Sequence, residues 1–200
     1  IIHVHEAHWI AGATGWAMKG IGKPIVCKEA SYPFRLKIGY DTPLRRTLMR
    51  YRKEMSFIAI TQSIKDSMIK SGIISDNIDL IPNGVVLPSE TASLIDSQSV
   101  VYVGNFSQGN YQKAFDVLFD AWIKIINYKS DLVLHILGGG DYSQWHKYLQ
   151  KNGLEQTVVF HGSVSDVGKH LQQARMFILP SRIEGISNAL LEAMSWGLPK

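Results

Sequence analysis

Short apolar runs alternate with amphipathic stretches along the whole chain, and the alternation forms two series. In the first series, strands are predicted at residues 1–5, 24–28, 57–61 and 78–81, and helices near residues 9–19, 43–55 and 62–71. In the second, strands are predicted at residues 100–104, 131–137, 157–161 and 176–180, and helices at residues 115–127, 142–151, 166–173 and 187–196. Strands that alternate with helices are typical of parallel sheets with right-handed crossovers. The pattern therefore predicts two α/β domains.

Residues 85–99 separate the two series and predict a linker. This stretch contains Pro88 and several serine residues, and its apolar positions show little periodicity. We therefore expect one domain over residues 1–88 and a second over residues 89–200. The first series opens inside a strand, and the second stops at Lys200, where a further strand is expected. Both domains are accordingly expected to be truncated, and without an initial methionine the targeting of the protein is not judged.

The composition is that of a globular protein and narrows the chemistry. Of the 200 residues, 46% are hydrophobic and 19% are charged, which excludes a disordered chain. No uninterrupted apolar run approaches the ~18 residues that a membrane helix needs. The single cysteine, Cys27, excludes an internal disulfide and a cysteine-based zinc cluster, and it favours a reducing, cytoplasmic location.

The net charge of +4 comes from the first domain, where basic side chains outnumber acidic ones. The excess lies in the segment 35–53, at Arg35, Lys37, Arg45, Arg46, Arg50, Arg52 and Lys53. The helix predicted in this segment begins at Pro43, with Thr42 as its N-cap. Its predicted apolar face consists of Leu44, Leu48, Tyr51 and Met55. Two interpretations stay open, namely peripheral contact with an anionic membrane and an ordinary solvated face. Nucleic acid is not a predicted partner, because the aromatic residues do not interleave with the basic ones.

Histidines near the N-terminus raise the question of a metal site. His3, His5 and His8 lie close to Glu6 in sequence, and the alternation of a strand places His3 and His5 on one face. Such a group could bind zinc, but histidines at a strand end more often form local hydrogen bonds. No metal site is therefore predicted.

The clearest candidate site follows the last predicted strand. Residues 184–192 place Glu184 and Gly185 in a loop, and Glu192 about one turn inside the next helix. A loop with glycine between a strand and a helix favours anions, because free N–H groups and the helix dipole meet there. The two carboxylates could bind the paired hydroxyls of a ribose or a hexose at the sheet edge. They could equally be a capping acid and a solvated helix acid.

The first strand of the second series precedes a similar layout. It ends at Gly104, a polar loop with Gly109 follows, and Lys113 lies directly before the next helix. A lysine there can reach a diphosphate held over the loop, although a solvated lysine is the commoner case. The glycine run at residues 138–140 lacks the G-x-G-x-x-G spacing and is not interpreted as a dinucleotide fingerprint.

Taken together, these segments resemble the retaining glycosyltransferases of family 4, which have the GT-B fold. Residues 3–5 and 22–26 resemble the H-x-H and G-K-P-V-V motifs of that family, and residues 81–85 resemble its I-P-N-G-V. Residues 103–104 with 113–118 resemble V-G-R followed by K-G-x-D-x-L. Residues 180–185 with 190–194 resemble P-S-x-x-E-G followed by L-L-E-A-M, including the paired glutamates. The resemblance runs along nearly the whole chain.

The resemblance implies two Rossmann-like parallel-sheet domains, the first presenting the acceptor and the second binding the donor. Glu184 and Lys113 are then the predicted catalytic residues: Glu184 would bond hydroxyls of the transferred sugar, and Lys113 would neutralise the leaving diphosphate. Glu192 would hold the ribose hydroxyls, and residues 161–164 would lie near the base. The predicted donor-binding set is Gly104, Asn105, Lys113, His161, Gly162, Ser163, Glu184, Gly185, Ser187, Asn188 and Glu192.

The activity that the resemblance implies is retaining transfer of a sugar to a polysaccharide, glycolipid or similar acceptor. The donor would be a UDP- or GDP-linked sugar, and no metal or other cofactor is expected, in agreement with the missing Asp-x-Asp motif. The protein would be cytoplasmic, with membrane association through residues 35–53. Two rival interpretations remain, namely a GT-B sugar-nucleotide epimerase and a non-catalytic nucleotide-binding or scaffold domain.

The sequence departs from the family pattern at three places. Asn105 replaces a phosphate-binding arginine, and the loop before Lys113 is longer than usual. Ala30 occupies the position of an active-site histidine, with Glu29 next to it. These departures imply either that this subgroup uses other residues or that its activity is weak.

Overall fold

The chain forms two compact units. The computed structural model describes residues 1–5, 9–30, 43–92, 97–106, 111–129 and 131–199. The first unit comprises residues 1–83 together with Glu184–Ile186, and the second comprises the remainder, so the boundary lies at Asn83 and Gly84. Each unit contains a four-stranded sheet. Glu6, His8, Thr42, Gly109 and the basic positions 35 and 37 lie outside the described residues, so the predictions made on them are not examined by the structure.

The first unit alternates strands and helices as the sequence predicts. Its strands are β1 (Ile2–His5), β2 (Ile25–Glu29), β3 (Met55–Ala59) and β4 (Ile78–Leu80). Its helices are α1 (Trp9–Ala17), α2 (Pro43–Tyr51) and α3 (Gln62–Lys70), with short 3₁₀ turns at Arg52–Glu54 and Ser75–Asn77. All neighbouring strands are parallel, in the order β1-β2-β3-β4.

Inward-facing residues of these strands form the core of the first unit. Val4, Cys27 and Phe57 pair across β1, β2 and β3 and are almost fully buried. Helices α2 and α3 contribute Leu48 and Ile64 to the same cluster. Burial raises the pKa of the Cys27 thiol to about 12, so Cys27 is a neutral core residue near pH 7 rather than a nucleophile.

The second unit has the same alternation and, within the described part of the chain, one more helix. Its strands are β5 (Ser99–Val103), β6 (Val133–Leu137), β7 (Val158–Gly162) and β8 (Met176–Phe177). Its helices are α4 (Phe115–Tyr128), α5 (Ser143–Lys151), α6 (Val167–Gln172) and α7 (Asn188–Ser195), and a 3₁₀ turn at Tyr111–Lys113 precedes α4. The strands are parallel in the order β7-β6-β5-β8.

Both faces of the second sheet are covered, as a parallel sheet requires. On one face, Tyr102 and Ile136 pack with Phe119 and Trp122 of α4. On the other face, Val101 and Leu137 pack with residues of α6 and α7, including Leu171 and Ala193. The predicted fold class, an α/β protein with two parallel sheets, is therefore confirmed.

Two element boundaries differ from the prediction. The helix predicted to reach residue 55 ends at Tyr51, and β3 starts at Met55 rather than at Phe57. Met55 is 3% exposed and belongs to the same core as Leu48, so its apolar character fits a helix face and a strand equally well. The strand predicted at residues 176–180 is only two residues long, because Pro180 has no N–H to continue the ladder that Ile178 N extends to Val101 O.

Candidate functional site

The carboxyl ends of β5, β6, β7 and β8 lie along one edge of the second sheet, because all four strands are parallel. The chain runs from β5 outward to β6 and β7, and then returns to place β8 on the other side of β5. The direction of winding therefore changes between β5 and β8. In open α/β sheets, ligands bind outside the carboxyl ends of the strands at such a switch point.

Backbone hydrogen bonds join the loops that follow β5, β6 and β7. Gly104 N donates to Leu137 O at 2.8 Å, and Gly138 N donates to Gly162 O at 2.8 Å. Phe106 N donates to Gly139 O at 2.7 Å. The three loops thus form one connected surface at the carboxyl edge.

Asn105 takes part in this connection through its side chain. Its Oδ1 accepts a hydrogen bond from Gly139 N at 3.1 Å, and the residue is exposed. A long cationic side chain at this position would not make the same short link. Asn105 therefore has a local structural role at the position where the sequence comparison expects an arginine.

The glycine run after β6 is part of the site, which the sequence analysis missed. Gly138 and Gly140 have φ of +141° and +136°, a region that residues with a Cβ rarely adopt. A Cβ on Gly138 would overlap Gly104 O, and one on Gly140 would overlap Phe106 O. A Cβ on Gly139 would lie 2.8 Å from Ser163 Oγ. The sequence signal that could have located this part of the site is a glycine run directly after a predicted strand, in the position that Gly104 has after β5.

Lys113 lies at the switch point, directly before α4. It is the last residue of the 3₁₀ turn Tyr111–Lys113, and Ala114 between the turn and the helix has φ 50° and ψ 42°. Ala114 is a non-glycine residue in the left-handed region and is 1% exposed. The family motif K-G-x-D-x-L has glycine at the position of Ala114. The positive φ observed there explains the family's glycine, because glycine adopts this conformation without strain.

Helix α7 begins on the other side of the switch point, after β8. Its N-cap is Ser187, whose Oγ accepts from Leu190 N at 3.3 Å. The N-cap residue of α7 is therefore Ser187, and Glu184 lies three residues before it in the chain. Glu192 lies one turn inside α7, as predicted, and is half-buried. The positive end of the α7 dipole lies at the carboxyl edge, beside Asn188.

Glu184 and Gly185 lie in the loop that precedes α7, as predicted, and they group with the first unit. Within that unit, a Cβ on Gly185 would overlap the carbonyl oxygen of Ala30. Ala30 N donates to Glu29 Oε1 at 3.0 Å, and Glu29 is fully buried. Glycine at position 185 is thus required by close backbone packing.

His161 belongs to a cluster of three histidines on β6, β7 and α6. His135 Nδ1 and His161 Nε2 are 2.9 Å apart, and the rings of His161 and His170 meet edge to face at 4.7 Å. Burial, followed by repulsion from neighbouring imidazoles, lowers the pKa of His135 and of His161. These two rings are therefore neutral near pH 7. No local sequence signal joins the three residues, since pairing of β6 with β7 brings them together.

The N-terminal histidines and the basic segment are placed only in part. The rings of His3 and His5 lie 4.7 Å apart, which confirms that they share a face. Among the described residues, no group of three histidine, cysteine or carboxylate side chains is arranged to hold a metal ion.

Arg46 and Arg50 are exposed on α2, and Lys53 is exposed in the turn that follows. In the part of the chain that the structure describes, no helix is long and apolar enough to cross a bilayer.

Comparison with known proteins identifies the family. The family model for glycosyl transferases group 1 matches residues 97–200, which is more than half of the chain. The chain belongs to the glycosyl transferases group 1 family. The matched region contains β5 to β8 and the carboxyl edge described above, and it also includes Glu184 and Gly185, which group with the first unit.

Curated relatives of this group 1 chain include two lipopolysaccharide 1,6-galactosyltransferases. That of Escherichia coli is 27% identical over 185 residues, covering 82% of this chain and 50% of the relative. That of Salmonella typhimurium is 31% identical over 154 residues, covering 71% and 41%. The chain therefore spans about half the length of the curated relatives it matches.

Solved structures of other proteins share the fold. HepE of Anabaena, crystallised with UDP, aligns with a TM-score of 0.78 over 99% of this chain and 58% of its own, at 16% identity. The lipopolysaccharide outer core galactosyltransferase WaaB aligns with a TM-score of 0.66 over 98% and 55%, at 24% identity. The two parallel-sheet units of this group 1 chain thus have the GT-B fold.

Proposed function

We propose that this group 1 chain belongs to an enzyme that transfers a sugar from a nucleoside-diphosphate donor to a polysaccharide, glycolipid or similar acceptor. The observation that carries the proposal is the switch point between β5 and β8. There Lys113 and the starts of α4 and α7 lie at the carboxyl edge of the family-matched unit. A lysine and two positive helix ends suit a diphosphate. The names of the lipopolysaccharide galactosyltransferase relatives support the transfer of a hexose.

The donor would lie along the carboxyl edge of the second unit. In this arrangement Lys113 and the amides at Ser187 and Asn188 neutralise the diphosphate, and Glu192 on α7 accepts hydrogen bonds from the ribose hydroxyls. The loops at Gly104 and at residues 161–163 flank the nucleoside. The glycines at residues 138–140 carry no side chains of their own, so a ligand can approach the backbone of this loop closely.

The chemistry of the proposal is the departure of the nucleoside diphosphate. The bond between the anomeric carbon and the diphosphate oxygen breaks, and a hydroxyl oxygen of the acceptor forms the new bond to that carbon. Negative charge grows on the departing diphosphate oxygen, which takes up the proton that the acceptor hydroxyl loses. A cation and helix dipoles that already point at it stabilise the transition state more than the ground state. Glu184 would bond the hydroxyls of the sugar that moves, and the anomeric configuration would be retained. The proposal needs no metal ion, since the protein's own groups neutralise the diphosphate.

The first unit would present the acceptor, and its basic helix would contact an anionic membrane surface. Exposed Arg46 and Arg50 support this part, since each basic residue near an anionic surface contributes about 1 kcal/mol. Reversing both charges should reduce binding to anionic vesicles at low salt, with binding to neutral vesicles as the control. Equal binding by both proteins would contradict the membrane contact and leave the transfer reaction untouched.

Nucleotide binding is the property to measure first. Solved GT-B neighbours carry UDP, so UDP is the first probe, and GDP is tested beside it. A ligand at about 100 times its dissociation constant should stabilise the fold by about 2.7 kcal/mol, which a thermal unfolding scan detects. Absence of a shift with every nucleoside diphosphate and nucleoside-diphosphate sugar would contradict the proposal. Binding without turnover, with donor and acceptor supplied to the full-length protein, would instead favour a non-catalytic nucleotide-binding domain. The departures from the family pattern at Asn105 and Ala30 support that alternative.

A further inference from the structure

Arg182 makes an unusually complete set of contacts with the turn that carries Lys113. Its Nη2 donates to Asp116 Oδ2 at 2.7 Å, and its Nη1 donates to Asp116 Oδ1 at 3.0 Å and to Tyr111 O at 2.9 Å. Its backbone N donates to Gln112 O at 2.8 Å. The guanidinium also lies over the Tyr111 ring, 4.1 Å from the centroid. Every one of these contacts falls on residues 111–116.

The chemistry of these contacts makes a rigid link. A planar guanidinium that binds a carboxylate through two parallel hydrogen bonds fixes both distance and orientation, which a lysine cannot do. The aromatic ring below the guanidinium restricts it further. The Arg182 side chain is 25% exposed and that of Asp116 is 58% exposed, so the link lies near the surface and its rigidity comes from its geometry rather than from burial. The hydrogen bond from Arg182 lowers the pKa of Asp116, which therefore remains ionised at neutral pH.

The linked turn needs such support. Ala114 holds a left-handed conformation with φ 50°, which costs energy for a residue with a Cβ. Contacts of Arg182 lie on both sides of this residue, at Gln112 before it and at Asp116 after it. Lys113 lies between them in sequence. Its backbone direction is therefore set by a segment that Arg182 holds at both ends.

We propose that Arg182 is a positioning residue that holds the turn at residues 111–116 so that Lys113 points at the diphosphate of a bound nucleotide. Arg182 and Asp116 are 66 residues apart in sequence, and their contact joins the loop that follows β8 to the first turn of α4, on the two sides of the switch point. The inference rests on the proposed function, because it assumes that Lys113 contacts the diphosphate. It assigns the arginine of the segment Pro180-Ser181-Arg182 a role distinct from that of Glu184.

A double-mutant cycle tests the inference by calorimetry with UDP, and with GDP in parallel, well below the unfolding temperature. The four proteins are the unmodified chain, Lys113→Ala, Arg182→Ala and the double variant. Lys113→Ala should weaken nucleoside-diphosphate binding about tenfold or more. Arg182→Ala should cause most of the same loss, and the double variant should bind no more weakly than Lys113→Ala alone. Residues that act through one another show such non-additivity.

Two further variants guard against a general loss of folding. Arg182→Lys keeps the charge but not the two parallel bonds, so its affinity should be intermediate. Asp116→Asn removes the carboxylate and leaves Tyr111 and Gln112 in place, and it should also weaken binding. The control is Arg175→Ala, a change of an exposed arginine before β8 in the same unit, which should leave affinity unchanged.

The outcomes separate the inference from the function on which it rests. If neither UDP nor GDP binds the unmodified chain, or Lys113→Ala binds them normally, the proposed donor site is wrong and the inference fails with it. If Lys113→Ala weakens binding but Arg182→Ala and Arg182→Lys do not, the inference alone is wrong. Losses that simply multiply in the double variant would likewise show that Arg182 acts independently of Lys113. A lower unfolding temperature with unchanged affinity would give Arg182 a purely structural role.

Discussion

Ala114 shows how a single residue shapes the proposed donor site. It is buried, it has φ 50°, and it joins the turn of Lys113 to α4. From the sequence, the match of this position to a family glycine was visible, but its backbone conformation was not. At Asn105, the sequence showed that the arginine of the family pattern is absent. The structure shows that the Asn105 side chain accepts a hydrogen bond from Gly139 N and so connects the loops after β5 and β6. The φ of Ala114 and the hydrogen bond of Asn105 both depend on the fold, so neither could be predicted from the sequence.

Substitutions at Ala114 should reveal the left-handed conformation directly. Ala114→Val should lower the free energy of unfolding by roughly 2 kcal/mol or more, because a β-branched residue is strained at positive φ and the site is buried. Ala114→Gly should stay within about 1 kcal/mol of the original, since relief of strain offsets the greater freedom of glycine in the unfolded chain. Urea denaturation measures both. Equal stability of the valine and glycine variants would contradict the conformation.

At the scale of elements, the strand and helix pattern was predictable and the loops were not. Every predicted strand and helix that the structure describes is present, since hydrophobic periodicity reports burial within one element. The predicted end of the helix at Met55 was wrong, because a buried apolar residue fits a helix face and a strand equally well. The packing of Gly138 against Gly104, and of His135 against His161, depends on the pairing of β5, β6 and β7. Such neighbours are far apart in sequence, so no local pattern contains them.

The loop after β6 should tolerate no side chain at Gly138. Gly138→Ala introduces a Cβ that overlaps Gly104 O at a strained φ, and we expect a loss of roughly 2–3 kcal/mol of stability together with loss of nucleotide binding. The matched control is Gly153→Ala, because Gly153 also has positive φ, +65°, but no atom lies within 4 Å of its Cβ position. It should cost about 1 kcal/mol and leave binding intact. Equal effects of the two changes, measured by urea denaturation and calorimetry, would contradict the close approach of the loops.

The histidine cluster on β6, β7 and α6 should make stability depend on pH. The folded pKa of His135 and of His161 lies below the ordinary value near 6.5 that applies to the unfolded chain. The contribution of His135 and His161 to the stability of the fold is therefore complete above about pH 6.5, and it is lost as the pH falls through that value toward the folded pKa. The unfolding temperature should drop between pH 7.5 and pH 5.5, and His135→Gln should reduce the drop.

The control for this pH dependence is His146→Gln, which changes an exposed histidine on α5 in the same unit. The unfolding temperature of His146→Gln should drop between pH 7.5 and pH 5.5 by the same amount as that of the unmodified protein. A pH dependence that His135→Gln does not alter would show that the cluster does not contribute to it.

At the scale of the whole molecule, the sequence predicted two parallel α/β units and a donor site on the second. Alternating strands and helices are enough for the fold class, and the family resemblance came from several motifs taken together, of which the one around Glu184 and Glu192 is the most specific. The grouping of residues 184–186 with the first unit was not predictable, because it depends on packing between Gly185 and the backbone at Ala30. The proposed donor site depends above all on the roles of the paired glutamates.

Calorimetry of Glu184→Ala and Glu192→Ala with UDP and with UDP-glucose or UDP-galactose tests these two roles. Glu192→Ala should weaken UDP and UDP-sugar alike, by roughly 1–3 kcal/mol, since both ligands carry the ribose. Glu184→Ala should bind UDP almost normally and lose only the extra affinity that the sugar supplies. Glu155→Ala, which removes an exposed acid of the same unit, should match the unmodified protein with every ligand. If both glutamate variants bind UDP and UDP-sugar as Glu155→Ala does, the assignment of the pair, and with it the proposed donor site, is contradicted.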